Sequence, residues 1–313
     1  MPKPHLLLLS ALLAAFAISC FSDHIDPYHL DVITGIGINI ILAVSLNLVN
    51  GYTGQFSLGH AGFMAVGAYL AAAVSLFAGP KLLGPDGGTA WQQGVLFLGA
   101  LLVGGLSAAA AGLLVGVPSL RLKGDYLALV TLGFGEIIRV IFQNIEVLGG
   151  ALGLNGIPAY TTIFWVIAFV ALSVFGVTCL VHSTYGRGFL ATHDDEVASE
   201  AVGLDTTRYK IVAFVIGAFF AGIAGGLYGH FKLTITPTGF SFDKSIEIVV
   251  MVILGGMGNT IGVVLAAILL TLLPELLRPI AEYRMIIYSF LLIVLMILRP
   301  QGLFNLKFGK VKL

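Results

Sequence analysis

A charged segment between residues 183 and 210 interrupts an otherwise lipid-like sequence, and its residue types suit binding rather than catalysis. It separates two strongly apolar runs, 161–182 and 211–227. Four carboxylates occupy its middle: Asp194, Asp195, Glu196 and Glu200. We predict that they sit at the front of a short helix, because carboxylates there complement the positive end of the helix dipole. Gly203 is a natural left-handed end for that helix.

The same predicted helix has an apolar face at helical spacing. Its members are Val197, Ala198, Ala201 and Val202. A small amphipathic helix on a membrane surface can dock into a groove of a soluble partner. An ordinary solvated connector is the alternative, and the residues of the segment by themselves leave both interpretations open.

Charged side chains inside the apolar runs are functional candidates, because a charge at the centre of a membrane helix costs about 3 kcal/mol. Glu136 and Arg139 are three residues apart on one predicted helix, so they can pair with each other. We expect His60 to be a packed histidine bonded to a backbone carbonyl rather than a ligand. No chain of acidic or histidine residues follows the spans, which disfavours a proton-driven carrier. The sequence also shows no metal-binding spacing and no nucleophile motif, so an enzyme is the poorest fit.

The composition sets the class of protein. Of 313 residues, 58% are hydrophobic and 10% are charged, with Lys+Arg and Asp+Glu balanced at 16 each. A soluble domain of this length does not tolerate so little charge. A net charge of zero argues against nucleic acid as a partner. Both cysteines, Cys20 and Cys179, lie in apolar runs, so a disulfide framework is not expected.

Apolar runs of about 20 residues, the length of a membrane-spanning helix, recur along the chain, and they predict an all-α polytopic helix bundle. The candidate spans are 5–21, 28–49, 55–78, 93–117, 122–142, 161–182, 211–232, 245–273 and 281–298. We interpret 5–21 as a retained helix rather than a signal peptide. Glycines interrupt 245–273, and splitting it there gives the larger excess of Lys and Arg on the cytoplasmic side. We therefore prefer about ten transmembrane helices, with both termini cytoplasmic, over nine.

Two glycine breaks have the same pattern of glycine, two residues, glycine and a side-chain amide. The first break is residues 51–55, GYTGQ, and the second is residues 255–259, GGMGN. Paired glycine-interrupted segments in corresponding halves of a chain indicate a transporter's central pathway. Non-helical backbone at membrane depth survives only against protein or water. A two-half internal repeat is one interpretation, and the coincidence of two helix-ending glycine turns is the other.

Five stretches of the sequence together carry a resemblance to a known family. They are GYTGQFSLGHAGFMAVGAYLAA at 51–72, PSLRLKGDYLALVTLGFGEIIR at 118–139, GGALGLNGIP at 149–158, LGGMGNTIGVVLAAILLTLLPE at 254–275 and RPQGLF at 299–304. With them, the chain from about residue 35 to 304 resembles the branched-chain amino-acid permeases of the ABC importers, specifically the LivM type. Urea and short-chain amide permeases are similar, so the resemblance is less specific for the substrate.

The resemblance implies partners and a role for the charged segment. Such permeases work in the bacterial inner membrane with a second related permease, two cytoplasmic ATPases and a periplasmic substrate-binding protein. The chain binds no cofactor itself, since it lacks the Walker A sequence and ATP belongs to the ATPases. The resemblance makes residues 183–210 the ATPase-coupling loop, with these contact residues: Gly186, Arg187, Asp194, Asp195, Glu196 and Gly203. His193 departs from the arginine usual in the family, which puts one salt bridge to the ATPase in doubt.

The sequence thus predicts one transmembrane permease domain over residues 1–313, without catalytic or metal-binding residues, that moves branched-chain amino acids inward. The residues expected to line the path are Gly51, Gly54, Ser57, His60, Tyr69, Gly255, Gly256 and Gly258. The alternatives are an ABC permease for urea or short-chain amides and a passive channel for small polar solutes. A channel would leave the charged segment without a role.

Overall fold

The computed structural model describes residues 26–84, 88–119, 125–280, 283–298 and 302–303. Within them, twelve α-helices follow one another: α1 Pro27–Asn47, α2 His60–Ala73, α3 Gly79–Leu83, α4 Ala90–Ser119, α5 Asp125–Asn144, α6 Ile163–Val181, α7 Thr184–Asp194, α8 Glu196–Ala201, α9 Thr206–Lys232, α10 Phe242–Gly255, α11 Thr260–Leu276 and α12 Arg284–Leu298. Two π-helical turns, Leu48–Tyr52 and Val74–Ala78, extend α1 and α2.

Side-chain caps explain where two long helices begin. Asp26 accepts a hydrogen bond from Tyr28 N at 2.9 Å at the start of α1, with Pro27 in the first turn. Asp205 accepts one from Arg208 N at 3.0 Å at the start of α9. Each oxygen satisfies a backbone N–H that has no partner inside the helix.

Helices α1 and α9 are antiparallel, which defines two ends of the bundle. Lys232 at the end of α9 lies 3.4 Å from Asp31 near the start of α1. At the other end, Gln55 Nε2 donates to the carbonyl of Lys210, near the start of α9, at 3.2 Å. We call this second end the polar-loop end, since residues 183–210 lie there. The first is the strand end, because β1 Leu154–Asn155 and β2 Thr234–Ile235 pair there in antiparallel register.

Glycines let α2, α4 and α9 approach closely at the centre of the bundle. A Cβ added at Gly67 would lie 2.1 Å from the carbonyl oxygen of Gly222, and one at Gly225 would lie 2.0 Å from that of Met64. One added at Gly104 would lie 2.7 Å from the carbonyl oxygen of Gly67. Small residues at these contacts maximise van der Waals packing between membrane helices. These glycines therefore serve helix packing.

In the part of the chain that the structure describes, six helices are long and apolar enough to cross a membrane, as expected of an all-α polytopic membrane protein. They are Pro27–Tyr52, His60–Leu83, Ala90–Ser119, Tyr126–Asn144, Ile163–Val181 and Thr206–Lys232. The predicted span 245–273 is two shorter helices, α10 and α11, separated at the second glycine break. The split is confirmed, but ten full crossings are not, because α10, α11 and α12 have only 14, 17 and 15 residues. The predicted span 5–21 lies outside the described residues.

Candidate functional site

The polar loop, residues 183–210, contains two helices rather than the one predicted. Ser183 caps α7 by accepting from Gly186 N at 3.2 Å, and Asp195 caps α8 by accepting from Ala198 N at 3.0 Å. Because Asp195 takes the capping position with extended backbone, the chain bends there. Asp194 consequently ends α7 instead of opening the second helix, which corrects its predicted place. Gly203 follows α8 with φ +89°, as the left-handed end predicted for it.

The predicted apolar face of α8 is exposed to solvent, as an amphipathic docking helix requires. Val197 and Val202 are 69% and 78% exposed, and the Asp194 side chain is 83% exposed. Arg187 is also exposed, on α7. Exposed valines beside acidic side chains form a surface suited to a partner that offers both apolar and basic groups.

The remaining predicted loop residues hold the loop in place. A Cβ added at Gly186 would lie 2.0 Å from the carbonyl oxygen of Val181, so the start of α7 packs directly on the end of α6. Glu196 Oε2 lies 2.7 Å from Lys210 Nζ, and Lys210 is only 8% exposed. This ion pair ties α8 to the start of the long helix α9. Glu196 is therefore an internal anchor of the loop as well as an acidic surface residue.

The polar loop touches the first glycine break at two points. Gly54 has φ +69°, and a Cβ added to it would lie 3.1 Å from His193 Cδ2. Gln55 bonds the Lys210 carbonyl, and its Nε2 also donates to Thr53 Oγ1 at 2.7 Å. His193, the departure from the family pattern, thus lies against the break as well as next to Asp194 at 3.4 Å.

The two glycine breaks touch each other, although they are about 200 residues apart in the sequence. A Cβ added at Gly51 would lie 2.3 Å from the backbone nitrogen of Gly258, so the two backbones are in direct contact. Gly258 N donates to Asn47 Oδ1 at 2.9 Å. Tyr52 OH and Thr260 Oγ1 are 2.8 Å apart, a second bond between the segments.

The breaks differ in backbone conformation. The first is the π-helical turn Leu48–Tyr52 followed by irregular chain up to α2. The second is a tight turn in which Gly256 and Gly258 have φ +92° and +79°, values that favour glycine. A Cβ added at Gly255 would lie 2.4 Å from Val263 Cα, so α10 and α11 also meet closely there. The two breaks therefore have similar sequences but different backbone structures, and the two-half repeat stays a prediction.

Buried polar atoms cluster around the first break. Asn47 Nδ2, Gln55 Oε1 and Ser57 Oγ are buried without a hydrogen-bond partner in the part of the chain that the structure describes. An unpaired polar group in a protein interior costs about 1–3 kcal/mol, so buried polar atoms normally bind water or another polar group. Ser57, predicted to line the path, belongs to this cluster.

The other two side chains predicted to line the path are packed. His60 Nε2 lies 2.8 Å from the hydroxyl of Ser45, and the ring also bonds the backbone carbonyl of Leu42, so it is the packed histidine that was expected. Tyr69 is fully buried and stacks on Phe142 with ring centroids 4.3 Å apart. Its hydroxyl donates to the carbonyl of Ile235 at the strand end, far from the breaks.

The structure thus joins most of the predicted site but adds residues that the sequence analysis missed. Asn47 and Lys210 carry contacts between the parts, and neither was predicted. The signal for Asn47 was a side-chain amide inside an apolar run, four residues before Gly51. Among the described residues, no group of three or more His, Cys, Asp or Glu side chains could hold a metal ion.

Comparisons with known proteins identify the family of the chain. The sequence matches the family described as branched-chain amino acid transport system / permease component over residues 28–299. It is 38% identical to the LivM permease protein of the high-affinity branched-chain amino acid transport system of Escherichia coli, over 90% of this chain and 71% of that protein. The LivM protein of Salmonella typhimurium is 36% identical with the same coverage.

A second kind of relative is more distant. The LivH permease protein of the same Escherichia coli transport system is 22% identical, over 84% of this chain and 90% of that protein. No solved structure matches the chain. Because the family match covers most of the described chain, the protein belongs to the family of permease components of branched-chain amino acid transport systems.

Proposed function

We propose that this chain is the membrane-spanning permease subunit of an ATP-driven importer of branched-chain amino acids in the bacterial inner membrane. The observation that carries the proposal is the continuous contact from the exposed polar loop through Lys210 and His193 to the two touching glycine breaks. A subunit that must transmit movement from a soluble motor to a membrane pathway needs such a connection. The family membership supplies the substrate class.

In this proposal the polar-loop end faces the cytoplasm, where one of the two ATPase subunits docks on α7 and α8. The strand end, where α1 begins, faces the periplasm, and both termini are cytoplasmic if the predicted span 5–21 crosses the membrane before α1. The loops 143–160 and 233–243 at the strand end receive the loaded substrate-binding protein. ATP hydrolysis takes place in the ATPases, so this chain needs no cofactor of its own.

The contacts suggest how movement of the loop reaches the pathway. Displacement of α8 pulls on Lys210 through Glu196, and displacement of α7 pushes His193 against Gly54. Either movement disturbs the first break and its contact with Gly258. Separation of the breaks would also change the surroundings of the buried polar atoms of Asn47, Gln55 and Ser57.

A second, related permease subunit is the proposed neighbour of α5. In the most apolar stretch of this helix, only 22% of the residues are buried within the chain, compared with 78% in the corresponding stretch of α1. It nevertheless carries the ion pair Arg139–Glu136, with 2.7 Å between Nη2 and Oε2 and side chains 24% and 35% exposed. Glu136 lies roughly 17 Å along the helix, near mid-membrane, where charges face protein or water rather than lipid. Since relatives of this chain include both LivM and LivH permeases, we favour a heterodimer over a homodimer.

Reconstitution tests the function. The chain is purified together with its co-purifying subunits and reconstituted into liposomes, with ATP on the side of the membrane that the polar loop faces. Binding protein and radiolabelled leucine are then added. We expect leucine uptake that stops when the ATPase carries an inactivating substitution. Uptake that continues without ATP would identify a passive channel, and uptake of urea or acetamide instead of leucine would identify an amide permease.

A further inference from the structure

A cavity of about 170 Å³ opens between α1, α2, α9, α10 and α11 near the strand end. Its lining includes the charged residues Asp31, Lys232, Lys244 and Glu275 and the polar residues Asn39, Thr271 and Tyr228. Val32, Met64 and Phe231 contribute an apolar wall. Asn39 lies twelve residues after the start of α1, roughly 18 Å along the helix. The cavity therefore extends from the strand end to about the middle of a membrane span.

Lys244 is held in place at this cavity. Its Nζ donates to Asn39 Oδ1 at 3.1 Å and to Glu247 Oε2 at 2.9 Å. Asn39 is oriented in turn by its own bond from Nδ2 to Thr271 Oγ1 at 3.0 Å. An ammonium group has three N–H donors, so one donor of Lys244 remains for a group inside the cavity. This donor is preorganised, because two acceptors already fix the side chain.

Two carboxylates offer the opposite charge in the same cavity. Glu275 Oε2 accepts from the hydroxyl of Tyr28 at 2.6 Å, which leaves its other oxygen for a further donor. Asp31 is half exposed and lies 3.4 Å from Lys232 through Oδ1. A carboxylate has about four acceptor positions, so each of the two can accept a bond from a ligand ammonium group.

We propose that this cavity binds an aliphatic α-amino acid as a zwitterion on its way through the protein. Lys244 binds the α-carboxylate, Asp31 or Glu275 binds the α-ammonium, and the apolar wall contacts the side chain. Ionisable residues at membrane depth are costly and mark substrate pathways. A site with few convergent polar groups beside apolar side chains is typical of small-molecule binding. The inference rests on the proposed function and gives it a substrate site within this chain.

A cysteine placed in the cavity tests the proposal. A Cβ added at Gly35, which lines the cavity, would have nothing within 4 Å, so Gly35→Cys fits without strain. Cys20 and Cys179 are replaced by serine, and the purified complex without binding protein is labelled with a small charged thiol reagent. We expect L-leucine to slow labelling in a saturable manner. Leucinamide, without the carboxylate, and 4-methylpentanoate, without the amine, should each need about tenfold higher concentrations.

Substitutions at Lys244 give the second measurement. Lys244→Gln should raise the half-protecting leucine concentration about tenfold to 100-fold, as loss of a hydrogen bond between charged groups predicts. Lys244→Arg, which keeps the charge, should recover most of the protection. Lys81→Gln removes an exposed lysine outside the cavity and should leave protection unchanged.

Three outcomes would overturn the inference: no protection by leucine, equal protection by leucinamide, or unchanged protection in Lys244→Gln. Uptake of leucine by the reconstituted complex is measured in parallel. Normal ATP-driven uptake without protection would refute this site alone, whereas the absence of any leucine uptake would refute the proposed function.

Discussion

Replacing Gly51 with alanine should separate the two glycine breaks. The added Cβ would lie 2.3 Å from the backbone nitrogen of Gly258 and 2.1 Å from Asn47 Oδ1. Ordinary contact begins at 3.4 Å, so one segment must move by about 1 Å. Overpacking of this kind costs about 1–3 kcal/mol, and loss of the bond between Asn47 and Gly258 costs about 1 kcal/mol more. A total of about 2–4 kcal/mol shifts the population of the touching state by about 30-fold or more.

Thermal unfolding and leucine uptake of the purified complex measure this effect. We expect Gly51→Ala to lower the melting temperature and to reduce uptake per ATP hydrolysed at least tenfold. Gly99→Ala is the matched control, because a Cβ at Gly99 in α4 would have nothing within 4 Å. If Gly51→Ala behaves like Gly99→Ala in both assays, direct contact of the breaks is not part of the mechanism.

Three other substitutions test separate contacts. Lys210→Met removes the 2.7 Å ion pair that ties Glu196 to α9, so stimulation of the ATPase by loaded binding protein should fall several-fold while membrane insertion is kept. Unchanged stimulation would contradict the anchoring role. Arg139→Leu leaves Glu136 unpaired at membrane depth and should destabilise the protein by about 3 kcal/mol, seen as low yield in membranes. Adding Glu136→Gln should restore the yield, and failure to do so would show that charge is not the cause. Gly67→Ala should lower the melting temperature, because its Cβ would lie 2.1 Å from a backbone oxygen of α9. A melting temperature equal to that of the wild type would refute this close approach of α2 and α9.

Local chemistry made part of this structure predictable. The apolar runs predict the long helices, Gly203 predicts the end of α8, and the spacing of Glu136 and Arg139 predicts their ion pair. Each of these features depends on residues close together in the sequence. The division of the polar loop into two helices was not predicted, because an aspartate such as Asp195 is favourable both in the first turn of a helix and at its N-cap position.

Contacts between distant segments were not predictable from one sequence. The two breaks have the same sequence pattern, but a shared pattern does not show that two segments are close in space. The packing of α1 against α10 and α11 brings Gly51 next to Gly258. Lys210 ends a polar segment of the sequence, yet its side chain is buried against Glu196. Asn39 and Asn47 were the available signals, since an amide in an apolar run must find a partner on another helix.

Site-specific photo-crosslinking from the polar loop tests the central claim most directly. A photoreactive residue replaces Val197, which is 69% exposed on α8, in the complex within native membranes. The control replaces Leu152, which is 85% exposed at the strand end. We predict that the probe at position 197 captures an ATPase subunit, whereas the probe at position 152 does not. Capture of the ATPase from position 152, with none from position 197, would contradict the proposed coupling loop and reverse the orientation of the protein in the membrane.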